Sequence, residues 1–408
     1  MLKANTGFSL NCNARLAGKE AADLAKEGLS TVKLAFVYFS NTYDSTELLA
    51  GIKEALPRAA IIGCSTCYGL ILPQGFISGK YFIGILAIED DDLTVGIGAV
   101  QYDAESLDMD IERTEFDRGT FKFDDEPIGT ARQEAFRAME KAGRQAAPNF
   151  FYMVSPPSME ERYINGISSV VGRVPFAGST AGDSSLGTKW ILMSDETTMY
   201  DGLAVAFFYG GKMPLTHYAS PYRPTDHYGI VTKMIENRCL VEINGRPTLE
   251  VFAERHKCSV ELLRGGDLSL VTPLMPLGIK SLSGNLISIC HPQYGNPDGS
   301  AFISSPLYEG MGIMGMECAP ADIVLGCGAE LEAFKKSLPT PAGAFHLSIN
   351  YCWKLATEDS FSDLVLNIQS AAGDVPFLCA LTNGEHGFSE DSGNTCGSLM
   401  MSYICFPA

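Results

Sequence analysis

A repeat inside the first half of the chain constrains the fold more than any other feature. When residue n is placed beside residue n + 115, the segment 34–66 aligns with 149–181 without a gap. The identical pairs are Phe36/Phe151, Ser40/Ser155, Gly51/Gly166, Ile52/Ile167, Arg58/Arg173 and Gly63/Gly178. The spacing of apolar residues on one helix face is shared as well, which indicates two related units at about 30–100 and 147–210.

Each copy predicts a strand, a helix and a second, parallel strand. An apolar run opens the copy, "LAFVYFS" or "NFFYMVS", and "AAIIGCS" or "VPFAGST" closes it. Between the runs, Asp44 with Glu47 and Ser158 with Glu161 have the spacing of a capping box at a helix start. The crossover between parallel strands is expected to be right-handed.

The segment 210–226 concentrates proline, glycine and polar residues and predicts a domain boundary. We therefore expect one domain at 1–213 and a second at 214–408. In the second, a turn at Asn244–Gly245, a hairpin joining "NLISIC" to "AFISS" through "GNPDG", and helices near 320–336 and 356–371 are predicted. The fold class is α+β, with duplicated α/β units and mixed sheets in the N-terminal half, followed by a C-terminal α+β domain.

Charge and composition exclude several functions. The formal net charge of −18 over 408 residues, with no run of lysine or arginine, argues against nucleic acid as a partner. No apolar leader or membrane-length apolar run is present, so we expect a cytoplasmic protein without membrane insertion. The 12 cysteines lie mostly in apolar segments and are expected to be unpaired. The acidic stretch 102–127 is interpreted as a solvated connection, since it lacks ordered metal-ligand spacing.

Two glycine-rich stretches partly match nucleotide-binding motifs. "GDSSLGTK" at 182–189 resembles a P-loop, but its threonine and lysine are in the wrong order and a strand-like run follows. "GMGIMG" at 310–315 fits the dinucleotide pattern, yet no helix opens at Gly315. Neither stretch is expected to bind a nucleotide.

Cysteine and histidine chemistry leaves alternatives open. Cys64 and Cys67 form a CxxC after a strand, which allows a redox or metal role, but a second pair for zinc is missing. The second copy has Ser179 and Gly182 at these positions, which favours a structural turn. None of the six histidines forms a helical metal-binding pair, although any one could be a haem ligand. No complete catalytic motif is found, so we expect that the chain is not an enzyme.

Taken in order, several short motifs resemble those of the FIST family, with FIST N-terminal and C-terminal domains. They are Gly63-Cys64-Ser65-Thr66, the run from Pro175 to Asp183, Glu242-Ile243-Asn244-Gly245-Arg246-Pro247, Pro276-Leu277-Gly278-Ile279 and Gly384-Glu385. The resemblance covers nearly the whole chain. It departs from the family pattern at Cys67-Tyr68-Gly69, where the family has Ala-Gly-Glu, at Asn394-Thr395-Cys396, and at Cys352 and Lys354.

The resemblance implies an intracellular sensory module that binds a small ligand, with amino acids as the proposed class, and signals to a separate effector. It also implies an alternative, a haem-binding nitric-oxide sensor that acts on a histidine kinase. A thiol-dependent enzyme that uses Cys64 is the third hypothesis. The ligand-binding residues that we predict are Cys64, Ser65, Thr66, Ser179, Thr180, Asp183 and Glu385, because strand-end turns offer hydroxyls and amides and an acidic group could hold an ammonium.

Overall fold

The computed structural model describes residues 2–101, 126–183, 189–269, 271–280, 287–389 and 393–408. The chain divides into two compact units. Unit 1 contains 1–66, 78–176 and 180–213, and unit 2 contains 67–77, 177–179 and 214–408. The acidic connection predicted at 102–127 lies almost entirely outside the described residues.

Helices and strands alternate in the N-terminal half. Its elements are β1 (Lys3–Ser9), α1 (Ala14–Ala25), β2 (Leu34–Phe39), α2 (Ser45–Ala55), β3 (Ala60–Ser65), β4 (Leu70–Leu72), β5 (Gly75–Ile77), β6 (Ile83–Glu89), β7 (Thr94–Val100), α3 (Glu126–Lys141), β8 (Phe150–Ser155), α4 (Glu160–Val171), β9 (Phe176–Thr180), β10 (Leu192–Ser194), β11 (Thr198–Met199) and β12 (Leu203–Tyr209).

Strands predominate in the C-terminal half. Its elements are β13 (Leu215–Ala219), β14 (Arg223–Ile235), β15 (Cys239–Ile243), β16 (Arg246–Pro247), α5 (Thr248–His256), α6 (Val260–Leu263), β17 (Gly266–Asp267), β18 (Leu277–Lys280), β19 (Ile287–Cys290), β20 (Pro292–Gly295), β21 (Ala301–Ile303), β22 (Gly312–Glu317), α7 (Pro320–Ser337), β23 (Ala342–Asn350), α8 (Cys352–Ala356), a 3₁₀ turn (Glu358–Ser360), α9 (Phe361–Ala372), β24 (Phe377–Thr382), β25 (Gly384–Ser389), β26 (Gly393–Gly397) and β27 (Met401–Pro407).

Unit 1 contains a mixed sheet ordered β1-β6-β2-β3-β10-β11, in which β2 and β3 are parallel, as predicted. A second set of strands is ordered β9-β8-β12-β7. The Gly63 of the first turn allows the close approach of β2 and β3, because a Cβ there would overlap the carbonyl oxygen of Val37. Helices α1 and α2 cover the first sheet through a core that includes Ala21, Leu48 and Ile52.

The described strands of unit 2 form two sheets and the antiparallel pair of β25 and β26. One is ordered β13-β27-β23-β24-β4-β5, with β23 and β24 parallel, and the other is a nine-stranded sheet around β14 and β15. The segment 310–315 leads into strand β22, which pairs with β14 and β18, so its glycines do not open a helix. The architecture is the predicted α+β class with mixed sheets.

Two local predictions are wrong. Asp44 caps α2 by accepting the amide hydrogens of Thr46 and Glu47, but α4 begins after Met159 without a side-chain cap, because Ser158 adopts a left-handed φ of 79° outside the helix. "NLISIC" pairs with β18 instead of "AFISS", and the hairpin through "GNPDG" joins β20 to β21. The proline Pro292 begins a new strand directly after His291, which separates β19 from β20.

Candidate functional site

The two predicted turns of unit 1 meet at Ser65. Its Oγ donates a hydrogen bond to the carbonyl oxygen of Gly182 at 2.7 Å and accepts one from the amide of Ile191 at 2.9 Å. The amide of Gly182 in turn donates to the carbonyl oxygen of Ser65 at 2.9 Å. Because Ser65 is fully buried, these bonds satisfy polar groups that would otherwise be costly in the interior. The turns therefore form one hydrogen-bonded core.

Asp183 connects segments of unit 1 through hydrogen bonds to its carboxylate. Its Oδ1 accepts a hydrogen bond from Asn41 Nδ2 at 2.6 Å, and its Oδ2 accepts one from the amide of Lys189 at 3.2 Å. Asp183 is 5% exposed, so a ligand ammonium would have to share an oxygen with these donors. Most of the P-loop-like stretch, 184–188, lies outside the described residues.

The other polar residues of the two turns are also buried. Cys64 lies inside β3, and burial raises the pKa of its thiol above the usual value. A reactive cysteine needs the opposite shift, so this environment does not favour a nucleophile at Cys64. Thr66 is fully buried, and Thr180 donates to Glu160 Oε1 at 3.1 Å.

Glu385 is a buried carboxyl group in unit 2. One oxygen accepts hydrogen bonds from Thr382 Oγ1 at 2.8 Å and Asn350 Nδ2 at 3.2 Å, and the other accepts one from the amide of Met400 at 3.0 Å. All three donors are neutral. Burial raises the pKa of Glu385 to about 8, although each hydrogen bond lowers it in part. At neutral pH the group therefore holds its proton for most of the time.

Asn350 connects this carboxyl group to the ends of two parallel strands. It closes β23, its register partner Thr382 closes β24, and its Oδ1 accepts a hydrogen bond from the amide of Cys352 at 3.1 Å. On the same strand, Ser348 Oγ lies 2.8 Å from Ser179 Oγ. The carboxyl ends of parallel strands are the usual place for ligand groups in open α/β sheets.

Sequence reasoning identified Glu385 but missed Asn350, Thr382 and Met400. Both Asn350 and Thr382 end an apolar run, which is the same signal that drew attention to "GCST" in the first half. Met400 contributes only its backbone amide, which no side-chain pattern can reveal.

Two departures from the family pattern are in contact. Tyr68 has a left-handed φ of 63°, and the ammonium of Lys354 lies 5.4 Å from its ring centroid. Tyr351 lies 5.9 Å from the same ring, while Cys352 is fully buried with a raised pKa caused mainly by burial. An aromatic ring and a cationic side chain thus lie next to each other at these two departures.

Four of the six histidines are buried or bonded to a carboxylate. His291, His346 and His386 are at most 1% exposed, and burial lowers their pKa values to about 4, 3 and 3. His217 bonds Glu330 at 2.8 Å. The cleft lined by residues between Cys12 and Tyr81 has no histidine among its described lining residues.

Neither metal clusters nor membrane-spanning helices are found in the part of the chain that the structure describes. There, no group of three or more histidine, cysteine, aspartate or glutamate side chains could hold a metal ion. No helix within those same residues is long and apolar enough to cross a membrane.

The FIST N domain family model matches residues 33–246, which is more than half of the chain. None of the curated proteins matches. Among solved structures, the chain is similar to cyanuric acid hydrolase from A. caulinodans, with 8% identity, full coverage of both chains and a TM-score of 0.35. Another cyanuric acid hydrolase structure gives 9% identity, full coverage and 0.36. PurLQS from Thermotoga maritima gives 10% identity and 0.23, with 99% of this chain and 72% of that chain covered.

Proposed function

Because the chain belongs to the FIST family of signal-transduction sensors, we propose that it senses a small ligand that carries an ammonium group, such as an amino acid. The effector would be a separate protein, and a histidine kinase is the class that the family resemblance implies. Glu385 is the observation that supports this choice of ligand.

A carboxyl group with only neutral partners is poorly stabilised in its ionised form. Glu385 is fully buried, and its hydrogen-bond partners, Thr382, Asn350 and the amide of Met400, carry no charge. A ligand ammonium beside Glu385 would supply the missing positive charge and displace the proton, forming a charge-assisted hydrogen bond. The ligand would therefore bind more tightly as the pH rises toward 8.

The test is thermal unfolding of the full chain with a panel of amino acids between pH 6 and 9. We expect at least one amino acid to raise the melting temperature, with a larger shift at the higher pH. The variant E385Q keeps the shape of the side chain and one accepting oxygen, but it cannot ionise, so it should lose about tenfold or more in affinity.

E134Q is the matched control. Glu134 is also buried, at 1% exposure, but Arg137 already pairs with it at 3.0 Å, so its ligand response should equal that of the unmodified protein. Equal stabilisation of the unmodified protein and E385Q would refute the role of Glu385. D183N tests the other predicted acidic group in the same way.

A further inference from the structure

A cleft in unit 1 lies where α1 and α2 begin. It has a volume of about 690 Å³ and is lined by Cys12, Asn13, Ala14, Arg15, Leu16, Thr42, Tyr43, Asp44, Glu47 and Tyr81. The loop that carries Thr42 to Asp44 follows the carboxyl end of β2, which is the ligand-binding side of an α/β unit. We call this space the α1/α2 cleft.

The charge of the α1/α2 cleft favours a cation. Arg15 is held by Glu54, with its Nη2 2.6 Å from Glu54 Oε1, while Glu47 is a weaker partner at 3.6 Å. The lining thus carries two carboxylates, Asp44 and Glu47, against one guanidinium that is shared with Glu54, and Asp44 has no ion-pair partner among the described residues. The net charge of −18 adds a long-range attraction for positive ligands.

The two helix N-termini do not offset this preference. Asn13 accepts the amide hydrogen of Leu16, and Asp44 Oδ1 accepts those of Thr46 and Glu47, so these amides are not free for an anion. Among the described residues, Asp44 Oδ2 has no hydrogen-bond donor, which leaves an oxygen for a ligand.

Aromatic rings supply the apolar part of the site. The ring centroids of Tyr43 and Tyr81 lie 5.3 Å apart at 48°, and Leu16 is 51% exposed in the same lining. The ammonium of Lys80 lies 5.3 Å from the Tyr81 ring centroid. Tyrosine faces next to carboxylates bind alkylammonium groups through cation–π and charge interactions.

We propose that the α1/α2 cleft binds an organic ammonium compound, with its cationic head at Asp44 and Glu47 and its apolar part against Tyr43 and Tyr81. This site goes beyond the proposed function, since it requires neither Glu385 nor an effector. Asn41, which precedes Thr42, donates to Asp183 Oδ1 at 2.6 Å, so the loop beside the cleft is hydrogen-bonded to the second turn of unit 1.

Cys12 gives a direct measure of occupancy. It lines the α1/α2 cleft and is exposed, whereas the other cysteines are buried or half-buried. The rate at which N-ethylmaleimide alkylates Cys12 in the full chain, followed by peptide mass spectrometry, should fall severalfold in the presence of choline. The neutral isostere 3,3-dimethyl-1-butanol should leave the rate unchanged, since only the charge differs.

The double variant D44N/E47Q tests the assigned carboxylates. Asparagine still caps α2, and Arg15 keeps Glu54, so the fold is preserved while two charges are removed. Its affinity for choline should be about tenfold lower. The control E254Q/E332Q removes two exposed charges in unit 2 and should keep the protection.

Equal protection by choline and by the neutral alcohol would overturn the proposal, as would protection that persists in D44N/E47Q or is absent from the unmodified protein. Choline carries no carboxylate, and the amino-acid response is measured through E385Q. Either proposal can therefore fail without the other.

Discussion

The buried environment of Glu385 makes the stability of the folded chain depend on pH. Its pKa is raised from 4.5 to about 8, so the folded state binds a proton that the unfolded state releases between these values. The stabilising contribution is complete below pH 4.5 and is lost as the pH rises through 8. In alkaline solution the buried carboxyl group therefore lowers the stability of the folded state.

E385Q should therefore flatten the alkaline side of the stability curve. Over the interval in which only the folded state is protonated, each pH unit changes the free energy of unfolding by up to about 1.4 kcal/mol. Denaturant unfolding at pH 6 and pH 8.5 should show a smaller loss in E385Q than in the unmodified protein. Parallel loss in both proteins would mean that Glu385 is not the group that titrates.

His291 should have the opposite effect on the acid side. Burial lowers its pKa from 6.5 to about 4, so the unfolded state binds the proton first, and stability is lost as the pH falls through that interval. Its Nε2 is buried without a hydrogen-bond partner. H291L removes both the titration and the unpartnered nitrogen, so acid titrations followed by circular dichroism should show a lower midpoint pH; an unchanged midpoint would contradict this account.

Helices α2 and α4 show what the sequence can and cannot predict about an element. Both have an acidic residue three positions after a capping candidate, and both form where the apolar periodicity predicted them. The periodicity reflects burial along the whole helix, whereas a cap depends on the backbone angles of a single residue. At Ser158, which follows two prolines, those angles are left-handed, and the cap is lost.

The presence of a cap on α2 and its absence on α4 should lead to different changes in the free energy of unfolding when the two residues are replaced by alanine. D44A removes the acceptor of two amide hydrogens at the start of α2 and should cost about 1 kcal/mol in the free energy of unfolding. S158A removes no cap and should change it by less than about 0.5 kcal/mol. Chemical denaturation of the two variants side by side gives the comparison, and a larger loss in S158A would show that Ser158 has a role that its position outside α4 does not explain.

The carboxyl network of Glu385 was only partly predictable because it depends on tertiary structure. The "Gly-Glu" motif drew attention to Glu385, but Asn350 and Met400 are distant in sequence and meet it only after β23, β24 and the segment before β27 are packed. The parallel strands β2 and β3 were predictable, since two apolar runs and one amphipathic helix determine them locally. The local sequence pattern thus predicted the strands and helices, whereas the site is formed by contacts between residues that are distant in sequence.

The two compact units of the molecule are not continuous in sequence. The segment 67–77 belongs to unit 2, although the residues on both sides belong to unit 1. It forms β4, in which Leu70 and Ile71 pair with Ala380 and Cys379 of β24. A fragment that begins at the predicted boundary, residue 214, therefore lacks two strands, β4 and β5, of its own sheet.

We expect the fragment 214–408 to be less stable than unit 2 of the full chain and prone to association. Without β4, the edge of β24 presents unpaired amides and carbonyls next to Leu378 and Leu381, which are fully buried in the full chain. Adding the peptide 67–77 should raise the melting temperature and reduce association in analytical ultracentrifugation. The peptide with Ile71 replaced by aspartate is the matched control, since Ile71 is 0% exposed and a charge there prevents pairing in the core. A monomeric, cooperatively unfolding fragment that ignores both peptides would show that β4 is dispensable for unit 2.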